Sequence, residues 1–237
     1  MEYCRNEMLS VVIPVLNEAP NLERLLPDLS QKCPGAEVIV VDGGSTDGST
    51  QVVAQYPPAR LVVSPRGRAR QMNAGAREAR GETLLFLHAD TRLPDGAAEA
   101  IQAALTDPLV VGGRFDVRLD SPRVIFRLIA FFINCRSRLS RIATGDQGLF
   151  LRHHVFAEMG GYPEIPLMED VEFSTRLKRC GTIACLRLAV TASARKWERE
   201  GVVRTVLLMW MLRLLYFFGV RPARLHRLYY GHLPPSE

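Results

Sequence analysis

The stretch Glu37–Ser49, EVIVVDGGSTDGS, decides the fold. Val38, Ile39, Val40 and Val41 form an unbroken β-branched run, the pattern of a buried central strand covered by helices on both faces. Asp42, Gly43 and Gly44 follow at once, then Ser45, Thr46, Asp47 and Gly48. That switch marks the carboxyl end of a strand, where open α/β sheets bind ligands and glycines let backbone amides approach closely. The same residues also suit a plain strand-to-helix turn in which Asp47 or Ser49 caps the next helix.

Upstream, Leu9–Val15 (LSVVIPV) reads as a second buried strand, with Pro14 at its end. Asn17 is placed to cap a helix, Pro20 suits its first turn, and Leu22, Leu25, Leu26 and Leu29 recur at helical spacing. Pro27 predicts a kink or an early end. Downstream the pattern repeats: a short helix over Gly48–Tyr56, a strand over Arg60–Val63, and a strand over Leu84–Leu87 that delivers His88, Ala89, Asp90 and Thr91 to its carboxyl end. Strand, polar loop and helix in alternation predict an α/β fold whose sheet is mostly parallel and flanked by helices. Between the last two strands, Pro65–Gly75 (PRGRARQMNAG) sets Arg66, Arg68 and Arg70 around a glycine, either to meet a pyrophosphate or as a solvated basic loop.

The second half predicts a helix over Asp95–Leu105, a bent strand over Val110–Val117, an apolar helix over Pro122–Ile142, and a strand over Gly145–Leu151 offering Asp146 and Gln147. A turn at Gly160–Pro163 leads to Glu169, Asp170 and Glu172, three carboxylates at a helix start that would complement its dipole or serve chemistry. A strand over Thr182–Ala189 and a charged loop over Ser193–Gly201 around Trp197 come next. Val202–Gly219 then forms an amphipathic helical appendage, too short for a span and interrupted by Arg213. The chain therefore divides into a domain over 1–201 and an extension over 202–237, packed on the domain, on a partner or second copy, or on a membrane surface.

Charge narrows the partners. The formal charge of +5 rests almost wholly on arginine, since Lys32, Lys178 and Lys196 are the only lysines, and arginine favours phosphate. Nucleotide phosphates, an anionic membrane and nucleic acid all fit that balance. Cys4, Cys33, Cys135, Cys180 and Cys185 make no CxxC pair and read as reduced thiols of a cytoplasmic protein, peripheral on the inner membrane face if the appendage meets lipid. The start lacks the layout of a signal peptide.

Asp42 and Asp90 at two strand ends, with the later pair Glu169 and Asp170, offer what a diphosphate leaving group and an incoming hydroxyl need: oxygen ligands for a hard cation, and a base. Read together with SVVIPVLNEAPNL, VIVVDGGSTDGS, RGRARQMNAG, LLFLHADT, GDQGLF and MEDVEF, these residues resemble glycosyltransferase family 2, the inverting nucleotide-sugar enzymes of the GT-A fold, and most of all a short bacterial subgroup. The resemblance implies a donor pocket for a UDP- or GDP-sugar built from Pro14, Leu16, Asn17, Glu18, Asp42 and Gly43, with Arg66, Arg70, Asn73 and Asp90. Asp90 matches the last aspartate of the family's DXD motif and would hold Mn²⁺ or Mg²⁺. His88 stands at the first position of that triplet, as a second ligand, a donor contact or a structural histidine. Asp170 matches the catalytic base, with Glu169 beside it. The QXXRW motif of processive synthases is missing around Trp197, which reads ARKWERE, so a single addition to an acceptor hydroxyl or lipid phosphate is expected, and no nucleic acid. A binding adaptor of the same fold without catalysis, and a nucleotidyltransferase of related fold, are the competing expectations.

Overall fold

The computed structural model describes residues 8–231. The organising stretch begins as strand β2 (Glu37–Asp42), beside β1 (Leu9–Val15). They run parallel with Val12 opposite Ile39 and Val15 opposite Asp42, so both end at one edge. β3 (Ala59–Val63) and β4 (Thr83–Phe86) flank them, also parallel. With β5 (Thr91–Arg92), β6 (Val110–Leu119), β7 (Leu149–Arg152) and β8 (Thr182–Ala192) they build one sheet in the order β3-β2-β1-β4-β7-β6-β8-β5. β7 is antiparallel to both its neighbours and β5 to β8, while β6 and β8 pair parallel. The sheet is thus mostly parallel, with β7 and β5 as the reversed strands.

Alternate side chains of the central strands feed two cores. Val11, Ile13 and Val40 point to one, shared with Leu22, Leu25, Leu26 and Leu29 of α1 (Ala19–Lys32), with α4 (Ala97–Leu105) and with α5 (Val124–Ser140). Val12, Ile39 and Val41 point to the other, shared with Met72 of α3 (Arg68–Glu78), Phe156 of α6 (His153–Glu158) and Phe173 of α7 (Glu169–Cys180). Each of the four α1 leucines is at most 1% exposed, which contributes about 1.5–3 kcal/mol apiece. α3 lies so close to the sheet that a Cβ at Gly75 would stand 2.4 Å from Val12 Cγ1 and 2.8 Å from Val41 Cγ2.

Several expectations need correcting. α1 runs through Pro27 to Lys32 instead of ending there. Pro27 is on the solvent face, where water can satisfy the carbonyl that loses its partner. Asn17 does not cap α1; the cap position is Glu18, and Asn17 has a left-handed backbone, φ 58°. Gly145–Gln147 is a 3-10 turn, so the strand expected from Gly145 starts only at Leu149. The charged loop at Ser193–Gly201 contains a short helix, α8 (Arg195–Glu200), whose Trp197 packs against the first core.

α5 is fixed to β6 by Asn134, whose amide accepts from Val117 N and donates to Val117 O, as a neighbouring strand would. Asp116 adds a second tie by pairing with both Arg114 and Arg138. α9 (Val202–Phe217) and α10 (Pro222–Tyr230) form a small third core in which Leu212 and Leu225 enclose Met168, just ahead of α7. α9 departs from the amphipathic helix expected over Val202–Gly219, being apolar on both its packed and its solvent sides with Leu207, Trp210 and Phe217 exposed, and the amphipathic pattern falls on α10 instead. Among the described residues no helix is long and apolar enough to cross a membrane. Cys33, Cys135, Cys180 and Cys185 are free thiols, and Cys4 lies outside the described residues.

Candidate active site

Two loops at the carboxyl edge of the sheet are stitched into one surface. Asn17 N donates to Ser45 Oγ at 2.9 Å and Thr46 N to Asn17 Oδ1 at 2.8 Å. Asp47 Oδ2 accepts the amide of Ala19 at 3.0 Å and Ser49 Oγ that of Glu18 at 2.9 Å. Asp47 therefore satisfies an orphan amide at the start of α1, while α2 (Ser49–Ala54) begins behind Gly48, whose left-handed φ of 92° suits glycine. Asp42 is 4% exposed, and its carboxylate accepts Gly44 N and Ser45 N at 3.0–3.2 Å. Beneath, the buried amide of Gln71 donates to Val15 O and Val41 O at 2.7 and 2.8 Å, closing the ends of β1 and β2. A Cβ at Gly43 would meet that amide at 3.0 Å, so a glycine fits there.

Beside this surface the acidic residues meet. Asp170 opens α7, with Oδ2 accepting Gly145 N at 3.0 Å and Oδ1 accepting Val171 N at 2.8 Å, which orients the carboxylate. Gly145 packs so closely on His88 that a Cβ would sit 2.4 Å from its ring. His88 Nδ1 lies 3.9 Å from Asp146. Arg68, the first residue of α3, reaches Glu169 at 3.3 Å. A small cavity of about 10 Å³, room for about one water, is lined by Arg68, His88, Gly145, Tyr162, Asp170 and Ser174.

Electrostatics tie the group together. The protein crowded around Asp146, whose side chain is still 45% exposed, pushes its carboxyl up, and Asp90 and Asp170 add to it against Arg68. Asp90 opens into the cleft, yet the protein crowded around it raises its carboxyl, with Glu18 adding to the effect. Glu169, 4% exposed, is raised by burial despite Arg68. Burial and the Arg68 charge bring His88 down to about 3, so its imidazole is neutral and can ligate or hydrogen-bond. Arg68 stays half exposed, and the protein crowded around it works against its guanidinium charge, which Glu169 and Asp170 favour more strongly. An excess of carboxylates that would rather be neutral is the environment a hard cation relieves.

His88, Asp90, Glu169 and Asp170 thus come together, and Glu18 joins the donor-side loop to Asp90 through its charge. Pro14 and Leu16 are half-buried at the end of β1. Arg66 is exposed in its loop, and Arg70 reaches Glu164 at 3.2 Å, so Arg68 between them is the arginine of the cleft. Asn73 is a correction: its amide is taken at both ends by Tyr162, accepting from N at 2.8 Å and donating to O at 2.9 Å, so it anchors a loop instead of facing a donor. Met168, just before Glu169, has φ 69°, one of three non-glycine residues with positive φ among those described, and such strain clusters at functional sites. In the sequence Arg68 and Asp146 stand out only as members of an arginine trio and of GDQ, and Gln71 carries no signal.

Among the described residues no group of three His, Cys, Asp or Glu side chains is close enough to cage a metal. The donor set still fits an ion of the Mn²⁺ or Mg²⁺ class, which commonly takes one or two carboxylates and completes its shell with substrate phosphates.

Comparison with known proteins bears on the family and the fold. A family model described as glycosyl transferase family 2 matches residues 10–163. A PGL/p-HBAD biosynthesis glycosyltransferase of Mycobacterium tuberculosis is 30% identical over 181 residues, covering 71% of this chain and 69% of the relative. Residues 1–349 of S. aureus TarS, solved with UDP-GlcNAc, align with a TM-score of 0.62 at 21% identity over 78% of this chain and 58% of that one. The mannosyltransferase PcManGT from Pyrobaculum calidifontis, solved with GDP-Man and Mn²⁺, aligns with a TM-score of 0.64 at 22% identity over 96% of this chain and 66% of that one.

Proposed function

Since the chain belongs to glycosyltransferase family 2, with the GT-A fold, we propose that it moves one sugar from a UDP- or GDP-sugar to an acceptor oxygen with inversion at the anomeric carbon. The observation that supports this reading is the convergence of Asp90, Asp146, Glu169, Asp170 and Arg68 at the carboxyl edge of the sheet.

Asn17, Glu18 and Asp42, with Pro14, Leu16 and Gly43, would bind the base and ribose at the ends of β1 and β2. Asp90, with neutral His88 available as a second ligand, would hold Mn²⁺ or Mg²⁺ against the diphosphate. The ion would supply charge neutralisation for the leaving nucleotide. Asp170 takes the proton of the acceptor hydroxyl as its oxygen attacks the anomeric carbon from the face opposite the diphosphate. The bond to the diphosphate oxygen breaks with its electron pair leaving on the nucleotide, so no covalent enzyme intermediate forms. Gly145 N keeps the Asp170 carboxylate aimed, and Arg68 offsets the negative charge of Glu169 beside it.

The extension supports attachment to an anionic membrane surface. Val124–Ser140 and Val202–Tyr230 contain no Asp or Glu, carry Arg127, Arg204, Arg221, Arg224 and Arg227 besides the arginines that turn inward, and expose Phe131, Phe132, Trp210 and Phe217. A thermal-shift screen of nucleoside diphosphates and their sugars, with and without Mn²⁺, tests the donor assignment. A matching ligand at about 100 times its Kd adds about 2.7 kcal/mol. No shift with any UDP or GDP compound would contradict it.

A further inference from the structure

The carboxylates and Arg68 account for donor chemistry, and two arginines facing the same acidic cluster remain unused. Arg136 lies on α5 and Arg213 on α9. Arg136 Nη2 is buried with no hydrogen-bond partner, and neither side chain forms a hydrogen bond or ion pair among the described residues. Arg114 and Arg138 by contrast share Asp116 as an ion-pair partner, although Arg114 Nε is also buried without a hydrogen-bond partner. Arg136 and Arg213 lie in each other's field, and Asp146 and Asp170 lie in that of Arg136. Two like charges brought together with a buried orphan donor cost free energy, and an anion seated between them would relieve it.

Resting on the transferase reading, we infer that Arg136 and Arg213 form a subsite for a phosphate group carried by the acceptor, next to Asp170. Guanidinium forks match phosphate oxygens in bidentate fashion, and the two helices that carry these arginines, α5 and α9, both expose apolar side chains and contain no acid. That setting suits a phosphate borne by a lipid, and a soluble phosphomonoester presents the same chemistry.

The test uses the full chain saturated with whichever of UDP or GDP stabilises it, so that the donor site is filled. Phenyl phosphate binding is measured by calorimetry for wild type, Arg136→Gln and Arg213→Gln, alongside flotation with phosphatidylcholine vesicles with and without phosphatidate. Wild type is expected to bind phenyl phosphate, and each variant to bind at least about tenfold more weakly, the loss expected from one charge-assisted hydrogen bond. Selective flotation with phosphatidate, reduced in both variants, assigns a lipid source. Phenyl phosphate binding without that flotation assigns a soluble one. Equal affinity in all three proteins, or no phenyl phosphate binding by wild type, overturns the subsite. Should Arg136→Gln fail to fold, the half-buried Arg213→Gln carries the comparison alone. Stabilisation of wild type by UDP or GDP separates the two levels: with it intact a negative result removes only the subsite, and without it the transferase reading falls first.

Discussion

Replacing Gly145 with alanine should damage the candidate site from its tightest point. The added Cβ would lie 2.4 Å from His88 Cε1 and 2.5 Å from Nε2, whereas carbon contacts settle at about 3.5–4.0 Å, so ring and loop must part by about 1 Å. Overpacking of that kind costs about 1–3 kcal/mol. In a chain of this length each kcal/mol lowers Tm by about 2–4 °C, which gives a fall of about 2–12 °C. The same shift moves Gly145 N from Asp170 Oδ2, now 3.0 Å away, and misaims the proposed base. The assay is thermal unfolding of Gly145→Ala, His88→Ala and the double variant, with nucleoside diphosphate release measured on each. His88→Ala vacates the space, so the double variant should be more stable than the two single effects sum to, by at least about 0.5 kcal/mol. Turnover should stay low, because His88 and the aim of Asp170 are both altered. Additive stability effects, or full turnover in Gly145→Ala, would refute the reasoning.

Further outcomes follow from the same geometry. Asp170→Asn keeps one oxygen for Gly145 N but turns its NH2 toward Val171 N, so a loss of about 0.5–1.5 kcal/mol in stability should accompany a drop in turnover of about 10²-fold or more with donor affinity unchanged. The Glu169 carboxyl is raised in the fold, so its contribution to stability is full at low pH and is lost as pH rises past the ordinary carboxylate range. Glu169→Gln should accordingly gain stability relative to wild type at pH about 8, with the gain fading toward pH about 4, as read from paired melting curves; a pH-independent difference contradicts the assignment. Gly75→Ala should lose about 1–3 kcal/mol by urea denaturation through its collision with Val12 and Val41. Trp210→Ser with Phe217→Ser should release the chain from anionic vesicles without lowering Tm, since both side chains are exposed, and a concentration-dependent change in mass in its place would mark a homodimer.

What the sequence made legible was whatever depends on local pattern. Val38–Val41 and Leu9–Val15 are β-branched runs long enough to be buried strands and too short for buried helices, and their polar sequels locate the ligand edge. Partnerships across the chain were hidden. Asp47 does take the amide of Ser49 at the start of the helix that follows, as its position suggests, but nothing local says that its other oxygen holds the amide of Ala19, because that depends on how two loops meet. Arg66, Arg68 and Arg70 are equivalent in sequence, and only the angle at which α3 starts sends Arg68 to Glu169 while Arg70 turns to Glu164. Asn73 carried the chemistry of a ligand contact and instead serves Tyr162. Pro27 misled because the rule against helix prolines weighs the lost hydrogen bond without knowing that the position faces water. Packing of the extension on the domain was among the expectations, but nothing local pointed to Met168, beside Glu169 and Asp170, as the place where α9 and α10 meet it.

The central claim is that Asp170 acts as the base of a sugar transfer whose donor sits over Asp90. It is tested most directly by following nucleoside diphosphate release from a panel of UDP- and GDP-sugars with Mn²⁺ and phosphatidate vesicles, comparing wild type with Asp170→Asn. The account predicts release by wild type from at least one donor and a loss of about 10²-fold or more in the variant, with that donor still raising Tm in both. Equal release by the two proteins, or no release from any donor by wild type, would contradict it.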